Sequence, residues 1–357
     1  MASKVRLHQV ILCLISLSNL SLSFSSPSLE RKKDYQKWLS WNVETYRKKA
    51  ALEAVESAVN QAQRTTGLKA LDVKLMNAEM NKVRISVNQN GSADFKTIQE
   101  ALNSIPLPSV RRVILDIRPG DSSEPPTITG NDTASVTGRD GMPLKTFQSA
   151  TVAIDANYFN TAPHEVGSLG GQAVALRISG TKAAFYNCSF YGAQDTLYDH
   201  KGLHYFNNCF VQGSVDFIFG YGRSLYENCT LNSTAKKVAS LTAQKRTNSS
   251  MASGFSFKDS RITGSGQVYL GRAWGDYSRV VFSYTFMDNI VLPRGWSDWG
   301  KQSRDSRVYY GEYMCTGPGA NLSGRVSWAQ VLTEEEAKPF IGTYYIDGET
   351  WLLNPIS

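Results

Sequence analysis

Two aspartates, Asp195 and Asp216, are the residues of this chain best suited to chemistry. They lie in two short glycine-bounded segments that follow each other closely along the chain. When two carboxyl groups lie close together their pKa values separate, so that one group can act as a base or nucleophile while the other keeps its proton. A single aspartate in such a segment would more commonly serve a turn. It is therefore the pair, not either member, that predicts acid/base or nucleophilic catalysis.

A short repeat in the sequence would bring this pair together. The phrase FYNC at 185–188 recurs as YFNNC at 205–209 and as YENC at 226–229, and the two aspartates have the same spacing as the first two of these cysteines. Such a period suits one coil of a solenoid, in which each coil stacks on its neighbours. Since neighbouring strands lie about 4.8 Å apart, side chains one period apart would meet on one face.

The surrounding sequence supplies short strands rather than helices. A sandwich or a barrel would also use many short strands, but the repeat favours an all-β fold, a right-handed parallel β-helix. A capping box at Thr97 and Glu100 predicts a short helix that ends before Pro106 and covers one end of the solenoid. The predicted strands are 83–87, 113–117, 150–154, 174–178, 185–190, 204–211, 224–231, 254–262, 268–270 and 280–286.

The chain divides into three predicted parts. Residues 1–25 have a positive start, an apolar run at 10–17 and small residues near the end, which is typical of a secretory signal peptide; an uncleaved anchor is the alternative. Residues 26–80 are predicted to form an N-terminal helical extension, and residues 81–357 are predicted to form the main β-helix domain. After the predicted signal segment, seven glycosylation sequons fit a secreted chain: they begin at Asn90, Asn131, Asn187, Asn228, Asn232, Asn248 and Asn321.

The composition of the chain limits the classes of partner and cofactor that it is expected to bind. The net charge of +7 and the pI of about 9.0 favour an anionic partner, although a mildly basic charge is also common without one. The sequence has no phosphate-binding loop and no basic-aromatic array for nucleic acid. His164, His200 and His204 have no metal-ligand spacing, so we expect neither a metal nor another cofactor.

The cysteines leave two alternatives open. Removal of the signal segment would take Cys13 and leave Cys188, Cys209, Cys229 and Cys315. An even number in a secreted chain permits disulfides. Cysteines at equivalent positions of stacked coils could equally form an unbonded ladder in the interior.

Four segments, taken in order, resemble the plant pectin methylesterases. They are GGQAVAL at 170–176, GAQDTLY at 192–198, GSVDFIFG at 213–220 and LGRAW at 270–274, and the resemblance extends over about 83–351. It implies a right-handed parallel β-helix that demethylates pectin (methylated homogalacturonan) in the cell wall, acts as a monomer and meets a proteinaceous inhibitor. The helical prodomain that many relatives carry is not recognisable, because residues 26–80 supply one helix rather than a bundle.

The resemblance also implies roles in an acyl transfer. Asp216 matches the nucleophile, which would form an acyl-enzyme anhydride, and Asp195 matches the general acid that then activates water. Gln172 and Gln194 would donate to the oxyanion, and Arg272 would hold Asp216 ionised.

Aromatic residues of the same segments would bind the sugar. Trp274 offers a flat face for a sugar ring, and Phe217, Phe219 and Tyr198 are expected to line the same groove.

Three departures from the family pattern predict reduced stability or activity. After Gly120 about one coil of chain is missing, and after Phe159 part of a coil is missing. Ala273 stands where the family has proline. The alternatives to an esterase are a pectin-cleaving glycosidase or lyase, which also uses close carboxylates, and a non-catalytic wall-binding protein.

Overall fold

Parallel strand pairing dominates the part of the chain that the computed structural model describes. That part comprises residues 78, 80–106, 111–117, 128, 142, 145–154, 160–161 and 173–352. Every pairing between its strands is parallel, and neighbouring strands in a sheet come from successive turns of the chain. The predicted right-handed parallel β-helix is therefore confirmed. The predicted signal peptide and nearly all of the predicted extension at 26–80 lie outside the described residues.

The regular elements are short. The strands are β1 (Val83–Val87), β2 (Val113–Ile117), β3 (Val152–Ile154), β4 (Asn160–Thr161), β5 (Leu176–Ile178), β6 (Ala183–Tyr186), β7 (Ser189–Tyr191), β8 (Leu197–Asp199), β9 (Leu203–Asn207), β10 (Phe210–Gly213), β11 (Ile218–Gly220), β12 (Arg223–Glu227), β13 (Thr230–Gln244), β14 (Gly254–Lys258), β15 (Arg261–Arg272), β16 (Arg279–Ser283), β17 (Phe286–Met287), β18 (Trp296–Ser297), β19 (Tyr309–Tyr313) and β20 (Gln330–Val331). The α-helices are α1 (Ile98–Asn103), α2 (Lys145–Gln148) and α3 (Glu334–Ala337), and the 3-10 helices are Gln302–Arg304, Pro318–Ala320, Leu322–Gly324, Lys338–Phe340, Thr343–Ile346 and Gly348–Thr350.

Two long sheets run along the solenoid. One has the order β17-β15-β13-β11-β8-β5-β3, with β7, β10 and β18 also joined to it, and the other has the order β20-β19-β16-β14-β12-β9-β6-β4. The chain passes from one sheet to the other and back in each coil. Strands β1 and β2 form a separate two-stranded sheet.

A residue with left-handed backbone turns each coil from the second sheet into the first. Asn187, Asn208 and Asn228 have φ angles of 53°, 53° and 55°. Asparagine tolerates this region better than most residues, because its short side chain can satisfy the local backbone. The later coils place Asp259, Tyr284 and Met314 at the same corner, with φ of 50°, 52° and 48°.

These corners correct five of the predicted strands. The runs 185–190, 204–211, 224–231, 254–262 and 280–286 are each two strands in different sheets, and the run 268–270 is part of the longer β15. The β-forming residues are continuous in the sequence, so the pattern alone did not reveal the corner. The physical cause is the single left-handed residue, which changes the direction of the chain without interrupting the apolar run.

The interior is organised as ladders of like side chains. The rings of Phe185, Phe206, Tyr226, Phe257 and Phe282 are nearly fully buried and stacked in that order, with centroid separations of 4.7, 4.5, 4.6 and 4.5 Å. These separations follow the spacing of the strands that carry the rings. The ladder joins successive coils through dispersion and ring contact as well as hydrogen bonds.

The cysteines form an unbonded ladder, not disulfides. Cys188, Cys209 and Cys229 are buried in the same core as the stacked rings, and all three are free thiols, as is Cys315. A hydrogen bond with Cys188 lowers the pKa of Cys209, but the neighbouring thiol of Cys229 and burial together raise it well above the ordinary value. This group therefore stays neutral in the apolar interior.

The predicted capping box is confirmed: Thr97 and Glu100 exchange hydrogen bonds of 3.1 Å at the start of α1.

The first described strands show how the chain pairs next to the two shortened segments. Among the described strands, β1 and β2 pair with each other only, so β3 and β4 end the two long sheets. Strand β3 pairs with β5 and β4 with β6 at the same sequence offset, so no register shift is observed between these strands.

We predict that the corner conformation, rather than polarity alone, decides which residues are accepted there. Asn208→Val places a β-branched side chain at φ 53° and should lower the free energy of unfolding by about 1–2 kcal/mol. Asn208→Gly is the matched control, because it also removes the bond to Asn187 but tolerates the left-handed region. Urea denaturation of both variants should rank Gly above Val, and equal stability would contradict the role of the corner.

Candidate active site

Asp195 and Asp216 occupy equivalent positions on neighbouring coils. Gln194 pairs with Val215 in a parallel bridge and Leu197 pairs with Ile218, so the same register between these coils holds on both sides of the aspartates. Both aspartates have left-handed backbone, with φ of 65° and 50°. They lie just before β8 and β11, where a left-handed residue again turns the chain into a strand.

Backbone bonds between coils hold the two aspartates in place. The Asp195 amide donates to the Val215 carbonyl at 3.0 Å, and the Asp216 amide donates to the Ser240 carbonyl at 2.7 Å. Both residues are nearly buried, with 7% and 5% of their surface exposed. Their carboxyl groups therefore have little solvent to stabilise a negative charge.

Arg272 supplies the positive charge that this site needs. Its Nε donates to Asp216 Oδ1 at 2.8 Å and its Nη2 donates to Asp216 Oδ2, which makes the pair bidentate. Arg272 is the last residue of β15, two coils beyond Asp216. The intervening coil carries Ala243, whose methyl group leaves the guanidinium room to cross over it.

Electrostatics assign different protonation to the two carboxyl groups. Burial, followed by the charge of Asp216, raises the pKa of Asp195 to about 7 against the effects of Arg272 and a hydrogen bond with Thr146. Burial also raises the pKa of Asp216, but the direct contact with Arg272 opposes that rise. Because only Asp216 has the guanidinium in contact, Asp195 is the member of the pair that keeps a proton near neutral pH.

Of the two predicted glutamines, Gln194 lies next to the paired acids. Gln194 directly precedes Asp195, and its side chain is part-exposed beside the aspartate. Gln172 lies outside the described residues. The amide of the next residue, Ala173, donates to the Gln194 carbonyl at 3.3 Å, so this segment adjoins the Asp195 coil.

Three of the four predicted aromatic residues come together beside the acids. The rings of Tyr198 and Phe219 are stacked at 4.4 Å, and Trp274 lies 6.1 Å from Phe219. Tyr198 and Phe219 are largely buried, whereas Trp274 is half-exposed. Phe217 is not brought to this surface: it is fully buried in the interior core, because the chain turns between Asp216 and β11.

The site also contains residues that the sequence pattern did not indicate. Thr146 of α2 bonds to Asp195. The ring of Trp299 stacks on the Arg272 guanidinium at 3.7 Å and so holds its free face. Lys245 lies over the ring of Trp274. None of these residues shares the one-coil spacing that revealed the aspartates; they approach only through the coiling of the chain.

Ala273, the substitution for proline, makes bonds of its own. Its amide donates to the Ser297 carbonyl at 3.0 Å, a bond that proline cannot form. The buried Arg304 then donates from Nη1 to the Ala273 carbonyl at 2.6 Å and from Nη2 to the Trp274 carbonyl at 3.2 Å. The backbone that carries Arg272 and Trp274 is therefore held from two sides without proline.

The part of the chain that the structure describes contains no group of three or more His, Cys, Asp or Glu side chains that could hold a metal ion. The candidate site in that part includes two carboxyl groups, one guanidinium, one side-chain amide and an aromatic surface. A nucleophile, an acid and an amide donor are the groups that acyl transfer requires.

The fold and the site thus define a parallel β-helix protein with a carboxylate-based centre suited to ester chemistry. The sequence model of the Pectinesterase family matches residues 84–349. The chain belongs to the pectinesterase family.

Individual relatives agree with this assignment. Pectinesterase QRT1 of Arabidopsis thaliana is 43% identical over 297 residues, covering 75% of this chain and 78% of the relative, and pectinesterase 1 of Olea europaea is 40% identical over 308 residues, covering 80% and 84%. Among solved structures, pectin methylesterase from carrot superposes with a TM-score of 0.68 at 32% identity, covering 76% of this chain and 97% of the carrot chain. Pectin methylesterase PemA from Erwinia chrysanthemi gives a TM-score of 0.61 at 26% identity, with coverage of 76% and 98%.

The raised pKa of Asp195 predicts a cost in stability that grows with pH. The folded pKa of about 7 exceeds the ordinary 3.8, so between these values the folded protein binds more protons than the unfolded chain, and the free energy of unfolding falls as pH rises. Asp195→Asn removes this titration. Its stability relative to the parent should therefore increase from pH 4 to pH 8, by up to about 4 kcal/mol.

Urea denaturation of parent and variant at pH 4, 6 and 8 measures this difference. A difference that stays constant across the three pH values, or that shrinks as pH rises, would show that Asp195 titrates normally in the folded protein.

Proposed function

We propose that this chain hydrolyses the methyl esters of homogalacturonan in pectin, with Asp216 as nucleophile and Asp195 as acid and base. The observation that carries the proposal is the asymmetry of the pair: Asp216 is held by both nitrogens of Arg272, while burial and the charge of Asp216 raise the pKa of Asp195 to about 7. A charged nucleophile beside a protonated acid is the state in which the first step of this reaction must begin.

In the first step an Asp216 oxygen attacks the ester carbonyl, and the carbonyl becomes a tetrahedral oxyanion. The side-chain amide of Gln194, and by family resemblance that of Gln172, would donate hydrogen bonds to this oxygen without neutralising the nucleophile. As the tetrahedral intermediate collapses, Asp195 gives its proton to the departing methoxide. Methanol leaves, and the galacturonyl group remains bound to Asp216 as an anhydride.

In the second step the Asp195 carboxylate takes a proton from water, and the oxygen of that water attacks the anhydride. The bond between the galacturonyl carbon and the Asp216 oxygen breaks, which releases the sugar as a carboxylic acid that loses its proton to solvent. Asp216 is restored as a carboxylate, and Asp195 has regained its proton. Arg272 holds Asp216 in one orientation throughout, and the stack with Trp299 limits the guanidinium to that position.

Charge and relatives support pectin as the substrate. The chain carries a net charge of +7, which favours a polyanion. A pectin methylesterase that is 25% identical, with a TM-score of 0.60, has been solved in complex with a hexasaccharide. We further propose that Trp274 supports the sugar ring, with Tyr198 and Phe219 behind it.

We also propose that the protein acts in the cell wall as a monomer. A proteinaceous inhibitor is its proposed protein partner.

No helix in the described part of the chain is long and apolar enough to cross a membrane.

Product analysis separates esterase from the alternative pectin-degrading activities. An esterase releases methanol and leaves the polymer length unchanged. A glycosidase would create new reducing ends, and a lyase would create unsaturated oligogalacturonides. Purified protein that produces either of these without methanol, or that binds pectin and releases no product, would overturn the proposal. The same assay also tests the shortened segments. It compares methanol release by the parent with release by a version in which family-like segments are restored after Gly120 and after Phe159.

We predict that Asp216→Asn lowers methanol release by several orders of magnitude while the protein remains folded, because an amide cannot replace the anionic nucleophile. Asp259→Asn is the matched control. Asp259 also has left-handed backbone and a cationic neighbour, Lys258 at 3.3 Å, but it lies at the opposite corner of the coil. The control should retain full activity, and an Asp216→Asn rate within tenfold of the parent would exclude Asp216 as the nucleophile.

A further inference from the structure

Arg304 is a buried arginine that joins two segments of the chain behind the candidate site. Its Nη1 donates to the Ala273 carbonyl at 2.6 Å and to the Asp298 carbonyl at 3.3 Å, and its Nη2 donates to the Trp274 carbonyl at 3.2 Å. Its side chain is only 7% exposed, so these bonds lie beneath the outer surface of the site. One guanidinium therefore holds three backbone carbonyls that come from two different coils.

Each of the two segments carries one half of the stack that faces Asp216. Arg272 directly precedes Ala273 and binds both carboxylate oxygens of Asp216. Trp299 directly follows Asp298, and its ring lies on the Arg272 guanidinium at 3.7 Å. The position of this stack therefore depends on how the two segments lie relative to each other.

The sheet aligns these segments only up to the ends of their strands. Strand β15 ends at Arg272 and its partner β18 ends at Ser297, and one further bond joins the Ala273 amide to the Ser297 carbonyl. Beyond that bond, Arg304 links the two segments. Trp299 has left-handed backbone, with φ of 58°, which a bulky residue keeps only where its surroundings hold it.

Asp276 fixes Arg304 in turn. The Nε of Arg304 donates to Asp276 Oδ1 at 2.9 Å. This hydrogen bond lowers the pKa of Asp276 against the effect of burial, so the carboxylate stays ionised beside the guanidinium. With one carboxylate and three carbonyls as acceptors, the buried cation is well satisfied and has one orientation.

We propose that Arg304 is a positioning residue for the reaction: it fixes the backbone on both sides of the Arg272–Trp299 stack and so keeps the Arg272 guanidinium on Asp216. The inference rests on the proposed function and adds to it a residue that lies behind the site rather than in it. Arg304 acts through Arg272, since its own donors are all directed at backbone carbonyls and at Asp276.

The ionisation of Asp216 is the property that a displaced Arg272 would change. Burial raises the pKa of Asp216, and the contact with Arg272 opposes that rise. Among the described residues, Asp195 and Tyr310 also interact with Asp216, and burial keeps the Tyr310 phenol neutral by raising its pKa. A looser contact with Arg272 would raise the pKa of Asp216 further, so the carboxylate needed for attack would form only at higher pH.

The test measures kcat/KM for methanol release from pH 4 to pH 9. Arg304→Met removes the guanidinium, and Arg304→Lys keeps the charge but replaces the planar fork by one ammonium. Arg307→Met is the matched control: Arg307 lies three residues later, also bonds to Asp276, at 3.4 Å, and is exposed, and the change in net charge is the same.

Arg304→Met should lower kcat/KM near pH 5 by about ten- to hundredfold and move the acid limb of the profile upward by about 0.5–1 pH unit. Arg304→Lys should move that limb in the same direction by less, and it carries the test if Arg304→Met does not fold. Arg307→Met should keep the parent profile. A purely structural loss lowers the rate at every pH alike, so an unmoved acid limb in the folded Arg304 variants would overturn the positioning role.

Hydrogen exchange read by mass spectrometry distinguishes failure of this inference from failure of the proposed function. In Arg304→Met, or in Arg304→Lys if the former does not fold, the amides of 271–275 and 296–300 should exchange about tenfold faster than in the parent, while β9 and β12 keep the parent rate. Arg307→Met should change neither set. This result supports the link between the two segments even if the parent releases no methanol. Unchanged exchange in the two segments, or equal acceleration throughout the domain, overturns the link whatever the catalytic result.

Discussion

The constraint on which this molecule depends is that each coil must return to the same register one strand spacing above the last. Parallel hydrogen bonds, stacked rings and the cysteine ladder all require it, because each links a residue to its counterpart on the next coil. Single left-handed residues at the corners meet this requirement. They change direction in one residue, so a coil can close without a long loop and its strands stay in register.

The candidate active site uses the same device. Asp195 and Asp216 have the left-handed backbone of corner residues, and the strict register places their carboxyl groups on neighbouring coils. Bringing two buried acids together is unfavourable, and Arg272 offsets that cost by direct contact for Asp216 but only through its charge for Asp195. The resulting asymmetry matches the proposed reaction, in which Asp216 would be the charged nucleophile and Asp195 the neutral acid, and it arises from burial and from the unequal access of one guanidinium.

Where this chain departs from the family pattern, local bonds show how the departure is accommodated. With alanine in place of proline at 273, the backbone gains a bond to Ser297, and Arg304 donates to the carbonyls of Ala273 and Trp274. Strands β3 and β4 pair in register with the coil that follows them. Removal of chain from a solenoid costs little where the remaining strands still find a parallel neighbour, and more where an edge is left unpaired.

The sequence by itself determined the period, and with it the fold and the pairing of Asp195 with Asp216, because register in a solenoid is a direct consequence of spacing. The capping box at Thr97 also followed from the sequence, since its bonds are local. The corners within the predicted strands did not, because a left-handed residue leaves the pattern of apolar residues unbroken. Only the tertiary structure decided that Phe217 faces the core, that the thiols are a ladder, and that Arg272 crosses a coil to reach Asp216 between Trp299 and the small Ala243. These outcomes depend on the direction of side chains from different coils, and no regular spacing in the sequence records that direction.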